Sequence, residues 1–265
     1  MHSFDFRDIY APLPQQSPID LDASTPIEHE FDPISHKLKW KNKIAGICRD
    51  VQAGTPNAPR TNREFEFEKG SGKLSIVYPG SKTPVEFELA KLHFHTGTEH
   101  VTRRSRAKFE MHIVHKSKEQ DPFVRGKREI YAVIAVFVEE RKPGADRDDN
   151  FSKLMKSLND SFSSMKNLET PHAQQCSTPI DPNHLLPFDP AQTGLADQPF
   201  WRYEGSLTTK VDAPNDGYVS WLVLEKPKFL TKEEIAEWTR NPHEDKDPQP
   251  LNRRYVLFNR GSTSR

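Results

Sequence analysis

Histidine crowds one part of this 265-residue chain, first in Lys91-Leu92-His93-Phe94-His95-Thr96-Gly97-Thr98-Glu99-His100 and then in Phe109-Glu110-Met111-His112-Ile113-Val114-His115. A neutral imidazole carries a lone pair near pH 7, which makes it a common metal ligand. Side chains at i and i+2 of a strand share a face, so His93 and His95 stand side by side, roughly 6–7 Å apart along the backbone. Phe94 turns the other way, into packing. The same alternation puts Glu110, His112 and Val114 on one face, with Phe109, Met111, Ile113 and His115 on the other. Three imidazoles from two strands, with no fourth protein ligand in sight, suit a zinc ion that keeps a position open for water, which is a catalytic rather than a structural site. The spacing alone fits polar residues on a solvated strand face equally well, and both readings stay open at this stage. His100 and His115 are read as packed histidines with satisfied hydrogen bonds.

These side chains need rigid strands to hold them. Both segments are rich in β-formers, and the basic loop around Arg103, Arg104 and Arg106 joins them as neighbours. The first runs from about Val85 through His95. Upstream, Leu38 to Ile47 starts the sheet, and Arg63–Glu68 followed by Lys73–Tyr78 after a glycine turn reads as a hairpin. Arg128 to Glu139 is apolar on both faces, so it is expected to be a central, fully covered strand. Gly217–Leu224 and Arg254–Phe258 supply further strands. Phe151, Leu154, Met155, Leu158 and Phe162 recur at helical spacing, with Asp149 or Asn150 able to cap. Thr231-Lys232-Glu233-Glu234 is a capping box opening a short helix through Trp238. Residues 168 to 200 read as a proline- and aspartate-rich loop ending at Phe200-Trp201-Arg202-Tyr203. No regular alternation of strand and helix appears. The expected fold class is therefore mainly β with peripheral helices, an α+β arrangement around a large, twisted, mostly antiparallel central sheet. No composition break divides the chain, so residues 1–265 are read as a single domain whose first 15 residues form an irregular arm.

Lysine plus arginine balances aspartate plus glutamate at 38 each. No net field draws the protein to nucleic acid or to an anionic membrane. No run reaches the ~20 apolar residues of a membrane span. Met1–Asp8 lacks the apolar core of a signal peptide, so a cytoplasmic location is expected for the chain as given, and secretion if the chain has been trimmed. Cys48 and Cys176 sit in no metal-ligand spacing and are either free thiols or one bridge. Oligomeric state is not legible.

His93, His95 and Glu99 also match HxHxxxE, the first metal motif of the cupins, in which Glu99 would be a ligand. The glycines expected around that motif are replaced by Phe87 and Arg106. A broader set of motifs resembles the alpha-class carbonic anhydrases: Gln16-Ser17-Pro18-Ile19, His93-Phe94-His95, Thr98-Glu99-His100, Glu110-Met111-His112-Ile113-Val114-His115, Asp181-Pro182 with Leu185-Leu186-Pro187, Gly205-Ser206-Leu207-Thr208-Thr209, Trp221-Leu222-Val223-Leu224 and Gln249-Pro250-Leu251-Asn252-Arg253. They stand in the family's order from residue 16 to about 258. The resemblance implies a zinc lyase that hydrates carbon dioxide reversibly to bicarbonate and a proton through a zinc-bound hydroxide. It makes His93, His95 and His112 the zinc ligands, and Thr208 the gatekeeper that bridges Glu99 and the zinc-bound oxygen. Val114, Val133, Leu207 and Trp221 match the apolar wall for carbon dioxide, and Thr209 the place of bicarbonate. Glu110 can accept the free N–H of His112.

The chain departs from that pattern in places. Lys91 stands where the family has a glutamine that accepts from the first ligand, and an ammonium has no acceptor to offer His93. No histidine lies between His36 and His93, which leaves Glu64 as the relay titrating nearest neutrality and implies turnover limited by proton transfer. Lys210-Val211 replaces a proline pair, and the loop to Trp221 is longer. The alternative function is a non-catalytic binding or storage protein on the same fold.

Overall fold

A computed structural model describes residues 16–32, 34–55, 58–78, 81–120, 129–144, 148–165, 174–176, 178–208, 218–239 and 246–262. The irregular arm expected over residues 1–15, Thr209 and the 210–216 loop lie outside them. Twelve strands are described: β1 (Ile27–Glu28), β2 (His36–Trp40), β3 (Gly46–Thr55), β4 (Ala58–Phe67), β5 (Gly72–Ile76), β6 (Val85–His95), β7 (Phe109–Gln120), β8 (Glu129–Glu140), β9 (Gln174–Gln175), β10 (Phe200–Gly205), β11 (Tyr218–Leu230) and β12 (Leu257–Asn259). They form one sheet in the order β1-β12-β10-β11-β8-β7-β6-β4-β3-β9, with β2 and β5 attached through β6. Helix α1 spans Asp149–Met165 and helix α2 Lys232–Thr239.

The apolar run around Ile134 forms the middle of this sheet. Ala132 through Val138 are all buried, because β8 is paired on both sides and covered on both faces. Most pairings are antiparallel as expected, but β8 runs parallel to β11, and β1 parallel to β12, so the sheet is mixed. The expected hairpin is not formed. β4 pairs with β3 and with the second half of β6, whereas β5 pairs with β2 and with the first half of β6. An eleven-residue β6 is long enough to hold two partners end to end along one edge, so the turn at Gly70 redirects the chain rather than folding it back on itself. Phe200–Tyr203, read as the end of a loop, belongs to β10.

The sheet separates two cores. On one face the apolar stripe of α1 (Phe151, Leu154, Met155, Leu158, Phe162) and Ile235 and Trp238 of α2 pack against Phe94, Met111, Ile113 and Ile134. The cap of α1 is Asp148 rather than Asp149 or Asn150, its Oδ1 accepting from Phe151 N–H at 3.0 Å. The capping box of α2 forms as expected: Thr231 N–H donates to Glu234 Oε2 at 2.8 Å and Glu234 N–H to Thr231 Oγ1 at 3.2 Å. The other face holds Val114, Val133, Trp201, Tyr203, Trp221 and Phe258. The histidines of interest project to this second face, away from both helices.

Candidate metal centre

Register brings the three histidines together. β6 and β7 are antiparallel neighbours with His93 directly opposite His112, and His95 lies two residues beyond on the same face. The ring centroids are 4.5 to 5.0 Å apart, and the planes cross at 52° to 85°. Donor atoms of His93, His95 and His112 all lie within 4.8 Å of one another, and all three residues are buried. Glu99 is not part of that set, as the cupin motif would require.

Glu110, two residues before His112, decides which nitrogen of that ring is available. Its Oε1 accepts from His112 Nε2–H at 2.8 Å and from His100 Nδ1–H at 2.6 Å, and its Oε2 accepts from the His100 backbone N–H at 2.9 Å. Burial alone would raise the pKa of Glu110, but the two imidazoles hold it well below the usual carboxylate range. With its proton on Nε2, His112 turns a bare Nδ1 toward His93 Nε2, 3.1 Å away. Two ring nitrogens at that distance do not meet as bare lone pairs; either a ring N–H or a metal ion lies between them. Burial, reinforced by the neighbouring imidazoles, lowers the pKa of both His93 and His112 and keeps them neutral. Glu99 Oε2 is also buried at this point without a hydrogen bond of ordinary geometry. A cation with three nitrogen ligands fits this donor set.

Glu99 approaches from the rim. Its Oε2 is 3.3 Å from His95 Nε2 and 3.9 Å from His112 Nδ1, and its Oε1 accepts from Lys246 N–H at 3.3 Å. Burial raises its pKa, while His112 and a hydrogen bond from Thr208 oppose the rise. The loop carrying Thr208 is tied down by a reciprocal pair in which Ser17 N–H donates to Ser206 Oγ at 3.1 Å and Ser206 N–H to Ser17 Oγ at 3.2 Å. Gly205 permits this approach, because a Cβ there would meet Ser17 Oγ at 2.2 Å.

Strand register also assembles the apolar wall. Val114, Val133 and Trp221 are successive partners across β7, β8 and β11, one row from His112, and Leu207 packs against their cluster. Trp221 stands 4.8 Å from the His112 ring, held by its Nε1–H donating to Ser206 O at 3.1 Å.

Lys91 turns away from His93 and donates to Glu64 Oε1 at 2.8 Å, leaving His93 Nδ1 buried without a partner. His100 has both ring nitrogens bonded as expected, to Glu110 and to Tyr203 OH at 2.6 Å. His115 does not. It stacks on Trp40 at 5.5 Å, and neither of its ring nitrogens makes a hydrogen bond of ordinary geometry. Sequence reasoning missed Tyr203 and the backbone N–H of Lys246. The first was hidden in an assumed loop, and the second leaves no trace in residue type.

A family model for eukaryotic-type carbonic anhydrases matches residues 10–259. Alpha carbonic anhydrase 7 of Arabidopsis thaliana is 25% identical over 250 residues, covering 91% of this chain and 73% of that protein. The structure of alpha-carbonic anhydrase from Thermovibrio ammonificans with the inhibitor sulfanilamide superposes with a TM-score of 0.63 at 23% identity, covering 92% of this chain and 87% of that one. Dioscorin complexed with ascorbate gives a TM-score of 0.64 at 21% identity, covering 94% and 87%. Both structures share the fold described above. Because the family match runs on to Asn259 in β12 and is not confined to the histidine strands, the chain belongs to the eukaryotic-type carbonic anhydrase family.

Proposed function

We propose that this protein is a zinc lyase that hydrates carbon dioxide reversibly to bicarbonate and a proton, with His93, His95 and His112 as the metal ligands. The observation that carries this reading is the meeting of three buried imidazoles, one of them locked by Glu110, beside an apolar row. Zinc bound there supplies a Lewis acid that lets water lose a proton near neutral pH, a property long known for this family. Thr208 donates its O–H in a hydrogen bond to Glu99, so its oxygen lone pairs remain to accept from the attacking O–H and aim the oxygen. Val114, Val133, Leu207 and Trp221 offer carbon dioxide a surface without competing hydrogen bonds. Thr209 is assigned to the bicarbonate product. With no histidine between His36 and His93, and Glu64 ion-paired to Lys91, the proton passes to buffer and limits turnover.

The test is stopped-flow carbon dioxide hydration by zinc-loaded protein at low and high buffer, beside His112→Ala. Activity should climb with buffer and vanish in the variant. The fold likeness to dioscorin, solved with ascorbate bound, favours a second reading as a non-catalytic binding protein. Hydration no faster than in His112→Ala at any buffer concentration would leave that reading in its place.

A further inference from the structure

Cys48 and Cys176 are the only cysteines of the chain. Both are buried and not joined in a disulfide, one on the strand β3 and one immediately after the strand β9. Antiparallel pairing sets Cys48 opposite Gln174, and Cys176 N–H donates to Gly46 O at 2.9 Å. Cys176 follows Gln174 by two residues, so alternation brings it to the face of the sheet that Cys48 occupies. The two thiols are hydrogen-bonded to each other. That bond is the strongest influence on Cys176, and with help from Ser161, whose Oγ lies 3.3 Å from the sulfur, it lowers the thiol's pKa to about 5 against the opposing effect of burial. The Cys176 thiol also donates to the Thr178 carbonyl at 3.4 Å.

We propose that Cys48 and Cys176 form a reversible disulfide that ties the edge strand β9 to β3 when the protein meets peroxide. The Cys176 thiolate attacks one oxygen of hydrogen peroxide and the O–O bond breaks, giving a sulfenic acid on Cys176 and, after protonation of the departing oxygen, water. Cys48 then attacks that sulfur as its proton moves to the leaving oxygen. The S–S bond forms, the S–O bond breaks and a second water leaves. Peroxide is reduced by two electrons, and the two thiols supply them. Residues offset diagonally across an antiparallel pair start about 7–8 Å apart at Cα, slightly more than a disulfide usually spans. The small inward shift falls on β9, which is two residues long and ends the order of the sheet among the described residues. Cys48 faces Phe65 on β4, and it is Glu64, the neighbour of Phe65, that opposes His93. The bond therefore forms two strands away from the histidines and acts as a staple on the fold. Because it closes a loop of well over a hundred residues, the expected effect is a rise in melting temperature of about 5–10 °C.

The experiment exposes the full chain to micromolar hydrogen peroxide, denatures it, alkylates with iodoacetamide and reads the intact mass. The oxidised protein should lose the mass of two hydrogens, take up no alkyl group, and recover both thiols on treatment with dithiothreitol. Ser161→Ala should slow this reaction several-fold and give the same product. Cys48→Ser should instead stop at a single modified thiol on Cys176, trapped as a mixed disulfide when glutathione is present. Wild-type protein that still takes up two alkyl groups after peroxide, or that loses them only in covalent dimers, would overturn the proposal.

Discussion

The ring of His93 is the least supported member of the triad. Glu110 orients His112, but the Nδ1 of His93 faces no acceptor, because Lys91 has swung to Glu64. Partners of this kind typically change metal affinity or activity about 10–100-fold. Replacing Lys91 by Gln offers His93 a carbonyl oxygen at the cost of a partly buried ion pair, whose Lys91 and Glu64 side chains are 33% and 12% exposed. Zinc should then bind about tenfold more tightly in a chelator competition, and an unchanged affinity would show that His93 needs no such support. At this scale the sequence was informative because strand alternation alone decides that His93, His95 and Lys91 share a face. It could not show that Lys91 would find Glu64. That contact depends on the pairing of Glu64 opposite His93 between β4 and β6.

Elements were legible wherever a local signal fixes them, as in the capping box of α2. Thr231→Ala removes the acceptor for Glu234 N–H and should cost about 1 kcal/mol in chemical denaturation. Zinc affinity should not change, since α2 packs on the face opposite the histidines; a loss of affinity would mean that the two cores are mechanically coupled. Other features were not legible. Period-two alternation tells which face a residue takes but not which strand lies beside it, so β4 and β5 looked like a hairpin and are not one. The parallel match of β8 and β11 joins segments separated by α1 and β10, with no repeating unit to announce it. β10 was missed because prolines and aspartates before it extended the loop reading too far.

For the molecule as a whole, two buried histidines outside the metal centre govern the response to acid. Burial, with Arg202 and then His29 adding to it, lowers the pKa of His36 to about 3, and burial lowers that of His115 to about 3. His36 is held neutral by its partners, accepting from Arg202 at Nε2 and donating from Nδ1 to Ser35 Oγ. The unfolded chain takes up these protons near pH 6.5 while the folded chain does not, so stability falls as pH drops from about 6.5 toward 3, with a limiting slope of about 1.4 kcal/mol per pH unit per group. Urea midpoints should fall between pH 7.5 and 4.5, and His115→Phe should flatten the profile; an unaltered slope would remove His115 from this account. The parallel pairing at the heart of the sheet has a further consequence during synthesis. Roughly eighty residues separate β8 from β11, and at 5–20 residues per second the ribosome needs about 4–16 seconds to supply them. Throughout that interval the most apolar strand of the nascent chain lacks its parallel neighbour, which makes it the segment a chaperone is expected to hold.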